Sequence, residues 1–264
     1  MKTKIEPELQ LVDLPGADKQ FPVIELFGPT IQGEGPLAGA RSHFIRFGGC
    51  AYRCHWCDSM HAVDPKEIKK NALMLYPSQI YLVLQKLKPM AQYCTLTGGD
   101  PVMWDLQGLM EVHNWHINQD SDCISGFAVE TQGAIYREWL RALSVVILTV
   151  SPKPPSSGEK PDFNVISEYA KDCAYGHNLN LKVVVFNDED YDFARMVHKK
   201  YPSVPFYLSV GTSTPPVTAE DITKLEVLDR YKWLVEKTLA DRIMKDARVL
   251  PQLHYLIWGN ELGR

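Results

Sequence analysis

An α/β fold with a mostly parallel sheet, arranged as a full or partial (β/α) barrel, is predicted by three observations. Strand-like and helix-like segments alternate along most of the chain, the pattern of βαβ units. Residues with unusual chemistry fall directly after the strand-like runs, and a parallel sheet gathers its ligand-binding loops at the carboxyl ends of its strands. The chain has 264 residues and is 45% hydrophobic, enough for one substantial core.

FPVIELFG (21–28) and SHFIRFGG (42–49) read as the first two strands, joined by the Gly-rich loop PTIQGEGPLAGAR. PSQIYLVLQKLKPM (77–90) has helical apolar spacing, with Ser78 as its N-cap and Pro89 at its end. QYCTLT (92–97) is a strand, DLQGLMEVHNWHI (105–117) a helix and GFAVE (126–130) a strand. AIYREWLRAL (134–143) reads as a helix leading into SVVILTV (144–150), a β-rich run bounded by proline. Then come helix 163–175, strand LKVVVF (181–186), helix 189–201, strand PFYLSV (205–210) and a helix within 218–240. Just after these strands stand Gly98-Gly99-Asp100-Pro101, Thr131-Gln132-Gly133, Ser151-Pro152-Lys153 and Asn187-Asp188. They are expected on one rim, beside the cysteine loop that leaves the second strand.

The start, MKTKIEPELQLVDLPG, lacks the continuous apolar stretch of a secretory signal, and no run is long enough to span a bilayer. The expectation is a soluble, cytoplasmic protein with an N-terminal extension over 1–20 and a single domain over 21–264. A formal net charge of −4 gives no basic footprint for nucleic acid and favours a small-molecule substrate. Six cysteines in an intracellular chain of this size make a poor disulfide framework, so any cluster of them points to metal binding or catalysis.

FGGCAYRCHWCDS (47–59) holds such a cluster: Cys50, Cys54 and Cys57 at C-x3-C-x2-C spacing. Cys94, Cys123 and Cys173 are scattered, where a thiol ordinarily packs as a small hydrophobe. A zinc tetrahedron on the triplet needs a fourth ligand, which His55 or His61 would supply. An iron–sulfur cube on three thiolates leaves one iron for a ligand from outside the protein. The triplet, with an aromatic residue just before its last cysteine, resembles the cluster loop of radical S-adenosylmethionine (SAM) enzymes. That resemblance implies a [4Fe-4S] cluster on Cys50, Cys54 and Cys57, chelation of its open iron by SAM, and cleavage of SAM to a 5′-deoxyadenosyl radical.

The surroundings narrow the resemblance. ELFGPTIQGEG (25–35), FIRFGGC (44–50), WCDS (56–59), LTGGDP (96–101), ETQG (130–133), SPKPPSSG (151–158), KVVVFNDED (182–190) and PQLHYLIWGN (251–260) occur in order over nearly the whole chain. Together they resemble the 7-carboxy-7-deazaguanine synthase family. The resemblance implies an abbreviated, modified radical-SAM barrel, usually a homodimer, that uses SAM catalytically with Mg²⁺. It implies a lyase converting 6-carboxy-5,6,7,8-tetrahydropterin to 7-carboxy-7-deazaguanine with loss of ammonia, on the route to queuosine. An electron donor such as flavodoxin or ferredoxin is implied as a partner; nucleic acid and membrane are not.

Residue by residue, the resemblance gives the pterin Ile31, Gln32, Gly33, Glu34, Arg46 and Thr97, and gives Mg²⁺ the hydroxyl of Ser59. To SAM it gives Trp56, Cys57 and Asp58 from the cluster loop, the backbone of Gly98 and Gly99, and Glu130. Ser151, Pro152 and Lys153, with Asn187 and Asp188, complete that set. These residue types suit the chemistry: an amide donates and accepts, a carboxylate accepts from guanidine-like N–H groups, and an arginine clamps a carboxylate through its fork. Mg²⁺ takes oxygen ligands and draws only one or two from protein. Each has a plainer reading. Arg46 would serve as a solvent-facing strand residue, Ser59 as a turn former, and Asn187 or Asp188 as a helix cap. Asp100 departs from the pattern of the family it resembles, in which many members carry Glu at that position. Two alternative functions are a radical-SAM activase acting on a protein substrate and a non-catalytic, zinc-stabilised binding module.

Overall fold

The computed structural model describes residues 18–118, 123–142, 144–172, 178–212, 224–259 and 261–263. Most of the expected extension over 1–20 lies outside the described residues, as do Cys173 and the segment 218–223. The strands are β1 (Phe21–Ile31), β2 (Arg41–Phe47), β3 (Leu73–Leu75), β4 (Tyr93–Gly98), β5 (Gly126–Thr131), β6 (Val145–Val150), β7 (Leu179–Val185), β8 (Phe206–Val210) and β9 (Arg248–Leu250). The helices are α1 (Pro65–Asn71), α2 (Pro77–Lys86), α3 (Gln107–Ile117), α4 (Phe163–Asp172), α5 (Asp188–Lys200), α6 (Lys224–Ala240) and α7 (Leu253–Trp258).

All the described strands join one sheet, in the order β3-β1-β2-β4-β5-β6-β7-β8-β9. From β2 to β9 every neighbouring pair is parallel. β1 instead pairs antiparallel with both β2 and β3. Chain length explains the difference: residues 32–40 are too few for the crossover of about a dozen residues that a parallel pair needs. The sheet is therefore open, with β3 and β9 at its edges.

β7 and β8 are buried along their whole length. In β7, Leu181, Val183 and Val185 face the apolar core, while the alternate residues Lys182 and Val184 turn to the cavity. One hydrophobic cluster runs from Phe21 to Tyr255 and takes in Ile45, Leu96, Val129, Leu148, Val183 and Leu208 from successive strands. Among the described residues no helix is long and apolar enough to cross a membrane.

Two local expectations need correction. Over its described residues, 134–142, the segment expected as a helix is instead a short 3-10 turn at Glu138–Arg141. Tertiary contacts override its helical spacing: Arg137 donates to the carbonyls of Val102 and Met103, and Trp139 Nε1 donates to Trp104 O. Ser78 is not a cap, because α2 begins at Pro77 and buries Ser78 in its first turn. The cap contact comes from Gln79, whose Oε1 accepts from Tyr76 N at 3.0 Å. Asn187 does cap α5, accepting from Asp190 N at 2.9 Å.

The register brings the strand ends level within each of three pairs, while β7 runs on to Val185 past the end of β6, whose Val150 lies beside Leu181. Phe47 of β2 lies beside Gly98 of β4, Thr131 of β5 beside Val150 of β6, and Val185 of β7 beside Val210 of β8. The loops that follow therefore emerge together on one rim, and the cysteine loop is among them.

Candidate active site

The cysteine loop begins where β2 stops. Backbone contact fixes its start, since Asp100 N donates to Gly49 O at 2.7 Å and Gly99 N to Phe47 O at 3.0 Å. The two chains pass so closely that a Cβ on Gly99 would lie 2.2 Å from Gly49 O, and one on Gly98 would lie 2.1 Å from Phe47 O. No side chain fits there. The glycine pair thus packs the end of β4 onto the cluster loop, in addition to leaving its backbone open to a ligand.

The far side of the loop is held by the segment after β6. His55 N donates to Ser157 O at 2.9 Å, Trp56 Nε1 to Ser156 Oγ at 2.9 Å, Arg53 N to Glu159 Oε1 at 2.7 Å, and Tyr52 OH to Lys160 O at 3.1 Å. Asp190 braces that segment in turn: its fully buried carboxylate accepts from Ser156 N and from Phe186 N, each at 3.0 Å. Asp190 belongs to the NDED run from which Asn187 and Asp188 were expected at the site. Those two do not line the cavity; Asn187 caps α5, and Asp188 pairs with Lys237 at 2.5 Å. Pro152 is not a lining residue either.

A cavity of about 220 Å³ opens at this rim and collects every other residue expected at the site. Cys50, Cys54, Trp56, Cys57, Asp58 and Ser59 line one side. Ile31, Gln32, Gly33, Glu34 and Arg46 line the side built by β1, β2 and their connection, and Thr97, Gly98, Gly99, Glu130, Ser151 and Lys153 come from the strand ends between. Lys182, Gln252 and His254 line it too, without a role in the sequence expectation.

Burial raises the thiol pKa values, with Cys54 at about 11 and Cys57 at about 12; that of Cys50 is raised as well. Such thiols ionise when a metal replaces the proton. Cys50 Sγ accepts from Tyr52 N at 3.4 Å and from Gln132 Nε2 at 3.7 Å, contacts that suit a thiolate bound to iron. Among the described residues no three Cys, His, Asp or Glu side chains converge as one ion would require. Three thiols around one cavity, none closing on a single point, fit a polynuclear cluster with one thiol per iron better than a zinc tetrahedron.

Beside the cluster loop, Ser59 Oγ donates to Asp58 Oδ1 at 2.9 Å and accepts from an Arg46 terminal nitrogen at 3.0 Å. Arg46 Nε binds Glu25 Oε2 at 2.8 Å. Burial works to raise the pKa of Glu25, but His61 and Arg46 outweigh it and hold the value below the usual range. Across the cavity, Glu130 braces two other groups: its carboxylate accepts from Thr97 Oγ1 at 3.1 Å and from Gln32 Nε2 at 3.2 Å.

The deepest wall is charged. Lys182 Nζ lies 2.5 Å from Glu34 Oε2, and Gln252 Nε2 donates to Glu34 Oε1 at 2.5 Å. Thr212 Oγ1 donates to Gln252 Oε1 and fixes that amide. Burial alone would raise the pKa of Glu34, but the Lys182 charge, with His254 and the hydrogen bonds from Lys182 and Gln252, brings it down to about 2. Removing one partner of such a buried pair costs roughly 3–5 kcal/mol.

Asp100 stays outside the cavity. Its carboxylate accepts from Val102 N, Thr131 Oγ1 and Gln132 N, tying the loop after β4 to the loop after β5. Burial raises its pKa to about 6 against those hydrogen bonds.

A mostly parallel sheet with a three-cysteine loop at its carboxyl rim and one cavity beneath defines a radical SAM enzyme. Solved structures agree in fold: QueE from Escherichia coli superposes with a TM-score of 0.63 at 21% identity, covering 89% of this chain and 95% of that one. SuiB from Streptococcus suis, solved bound to S-adenosylmethionine, gives 0.50 at 11% identity over 78% of this chain and 49% of its own. No protein-family model matches the sequence. The 7-carboxy-7-deazaguanine synthase of Bacillus cereus is 38% identical over 246 residues, 92% of this chain and 99% of that one. The Bacillus subtilis enzyme of the same name is 38% identical over 250 residues, 93% and 99% of the two chains. The chain belongs to the 7-carboxy-7-deazaguanine synthase family of radical SAM lyases.

Proposed function

We propose that the chain converts 6-carboxy-5,6,7,8-tetrahydropterin to 7-carboxy-7-deazaguanine, with loss of ammonia, inside this one cavity. The observation that carries the reading is a shared space: the three cluster thiols, Arg46 and the Glu34 carboxylate all line it. Cys50, Cys54 and Cys57 would hold a [4Fe-4S] cluster, which with SAM bound would supply hydrogen-abstracting radical chemistry.

The protein's own side chains bind, orient and exclude water. Glu25 and Ser59 hold two nitrogens of Arg46, which leaves its third nitrogen for the pterin carboxylate. Thr97 and Gln32, both set by Glu130, offer fixed hydrogen-bonding groups to the ring. Glu34 offers carboxylate oxygens to the N–H groups at the opposite end of the substrate. Trp56 and Phe186, with ring centroids 5.0 Å apart, form an apolar wall for adenine, and Lys153 Nζ sits 5.8 Å from the Trp56 ring. Ser151, Asp58 and the backbone at Gly98 and Gly99 complete the SAM pocket, to which Asn187 and Asp188 contribute only through α5.

Ser59, with the Asp58 carboxylate beside it, would hold Mg²⁺ among hard oxygen donors. Arg46 is held independently by Glu25 through its Nε. The enzyme works as a single-domain, cytoplasmic homodimer that takes electrons from a flavodoxin or ferredoxin.

The test is anaerobic incubation of the cluster-reconstituted protein with the pterin, SAM and dithionite, followed by mass spectrometry. The expected result is 7-carboxy-7-deazaguanine and one ammonia per product. SAM cleavage with no pterin-derived product would overturn the reading and favour an activase.

A further inference from the structure

Lys182 is the one charged residue of β7, LNLKVVV, and only 6% of its surface is exposed. Nothing in the reaction calls for a lysine at that depth. Its Nζ is committed to Glu34 Oε2 at 2.5 Å, while Gln252 takes the other oxygen at 2.5 Å. Buried ion pairs of this kind contribute little net stability, because desolvating both charges offsets their attraction. A reason of another kind is needed.

Charge and geometry supply one. Each Glu34 oxygen accepts one hydrogen bond from the protein, and a carboxylate oxygen can accept two. One acceptor site per oxygen remains, on a group that lines the cavity. The aminopyrimidinone edge of a pterin presents two parallel N–H groups, the pattern that an ionised carboxylate receives in bidentate fashion. A protonated carboxyl would turn one of those acceptors into a donor and place it against an N–H. Burial pushes Glu34 towards that protonated form, and Lys182 is the largest influence opposing it.

We propose that Lys182 is a positioning residue for substrate recognition, holding Glu34 as a fixed, ionised carboxylate that receives the two N–H groups of the pterin's aminopyrimidinone edge. The inference rests on the pterin reading given above. The charged and titratable groups facing the pair are few. His254, from α7, faces Glu34, while Glu130, at the end of β5, and Asp58, in the cluster loop, face Lys182.

With Lys182 present the Glu34 pKa is about 2, so the carboxylate stays ionised throughout the neutral range. Without it, burial raises the pKa, and binding weakens as pH falls through the raised value.

The probe is 6-carboxypterin, a fluorescent analogue, titrated anaerobically into the SAM-loaded, cluster-reconstituted protein between about pH 5.5 and 7.5. For the wild type, which carries the same His254, a Kd nearly constant with pH is expected. In Lys182→Met, Kd should rise as pH falls, approaching about tenfold per unit once Glu34 is protonated. Lys182→Gln keeps a hydrogen bond to Glu34 but no charge, and serves if the Met variant does not fold; the same slope is expected. Adding Glu34→Gln to either variant should flatten the profile. Kd values in the Met or Gln variant as independent of pH as in the wild type would overturn the proposal. A wild-type protein that binds SAM but no 6-carboxypterin would instead overturn the pterin reading, and the proposal with it.

Discussion

Ser59 has its hydroxyl set between a negative and a positive neighbour, Asp58 at 2.9 Å and Arg46 at 3.0 Å. Donation to Asp58 points the hydroxyl hydrogen away, and beside the bond from Arg46 one lone pair of Oγ remains for a cation, with the Asp58 carboxylate adjacent. Ser59→Ala should abolish the Mg²⁺ stimulation of turnover while iron content stays at the wild-type level; Ser59→Thr, which keeps the oxygen, should retain both. Initial rates measured over a Mg²⁺ titration decide the matter, and full stimulation in the Ala variant would place the metal elsewhere. Other residues were less legible. Lys182 carried a visible signal, a lone charge in an apolar strand, because a charge that deep must be paired. Its partner Glu34 lies 148 positions away, a distance that no local pattern spans. Asp190 was not singled out for a related reason: the sequence marks the NDED run as special, but only packing decides which member turns inward.

Among the elements, the buried strands were readable because a parallel sheet buries long, near-continuous apolar runs, as in SVVILTV and LKVVVF. β3 and β9, of three residues each, are too short to show any period. Residues 134–142 had helical spacing but not a helix, since Arg137 and Trp139 bind the carbonyls of residues 102–104 instead of serving a helical face. The cluster loop is an element of its own, clamped by Gly98 and Gly99 on one side and residues 156–160 on the other. Its three thiols act as a set. Replacing any one of Cys50, Cys54 or Cys57 by Ala should abolish stable cluster binding and SAM cleavage, whereas Cys94→Ala, in the fully buried core of β4, should leave iron per protein near wild type. Iron and sulfide analysis after anaerobic reconstitution separates the two outcomes.

For the whole molecule, the link from sequence to function runs through the direction of the strands. Once β2 and β4 to β8 run parallel, the residues after each strand share a rim, so GGC, TGGD, TQG and SPK meet although they are spread over a hundred positions. That convergence was legible without coordinates. The closure of the cavity was not: Gln252 and His254 come from the segment around α7, pinned by the bond from Leu253 N to Gly33 O at 3.1 Å. In the proposed reaction, one hydrogen leaves a C–H bond of the pterin within this single cavity and is later returned, so that SAM is not consumed. The most direct measurement uses substrate deuterated at C6 and follows the label by mass spectrometry in recovered SAM and in product. Deuterium is expected in the adenosyl group of recovered SAM, with many products formed per SAM. Product formed with unlabelled SAM, or one SAM destroyed for each product, would rule out the return of that hydrogen.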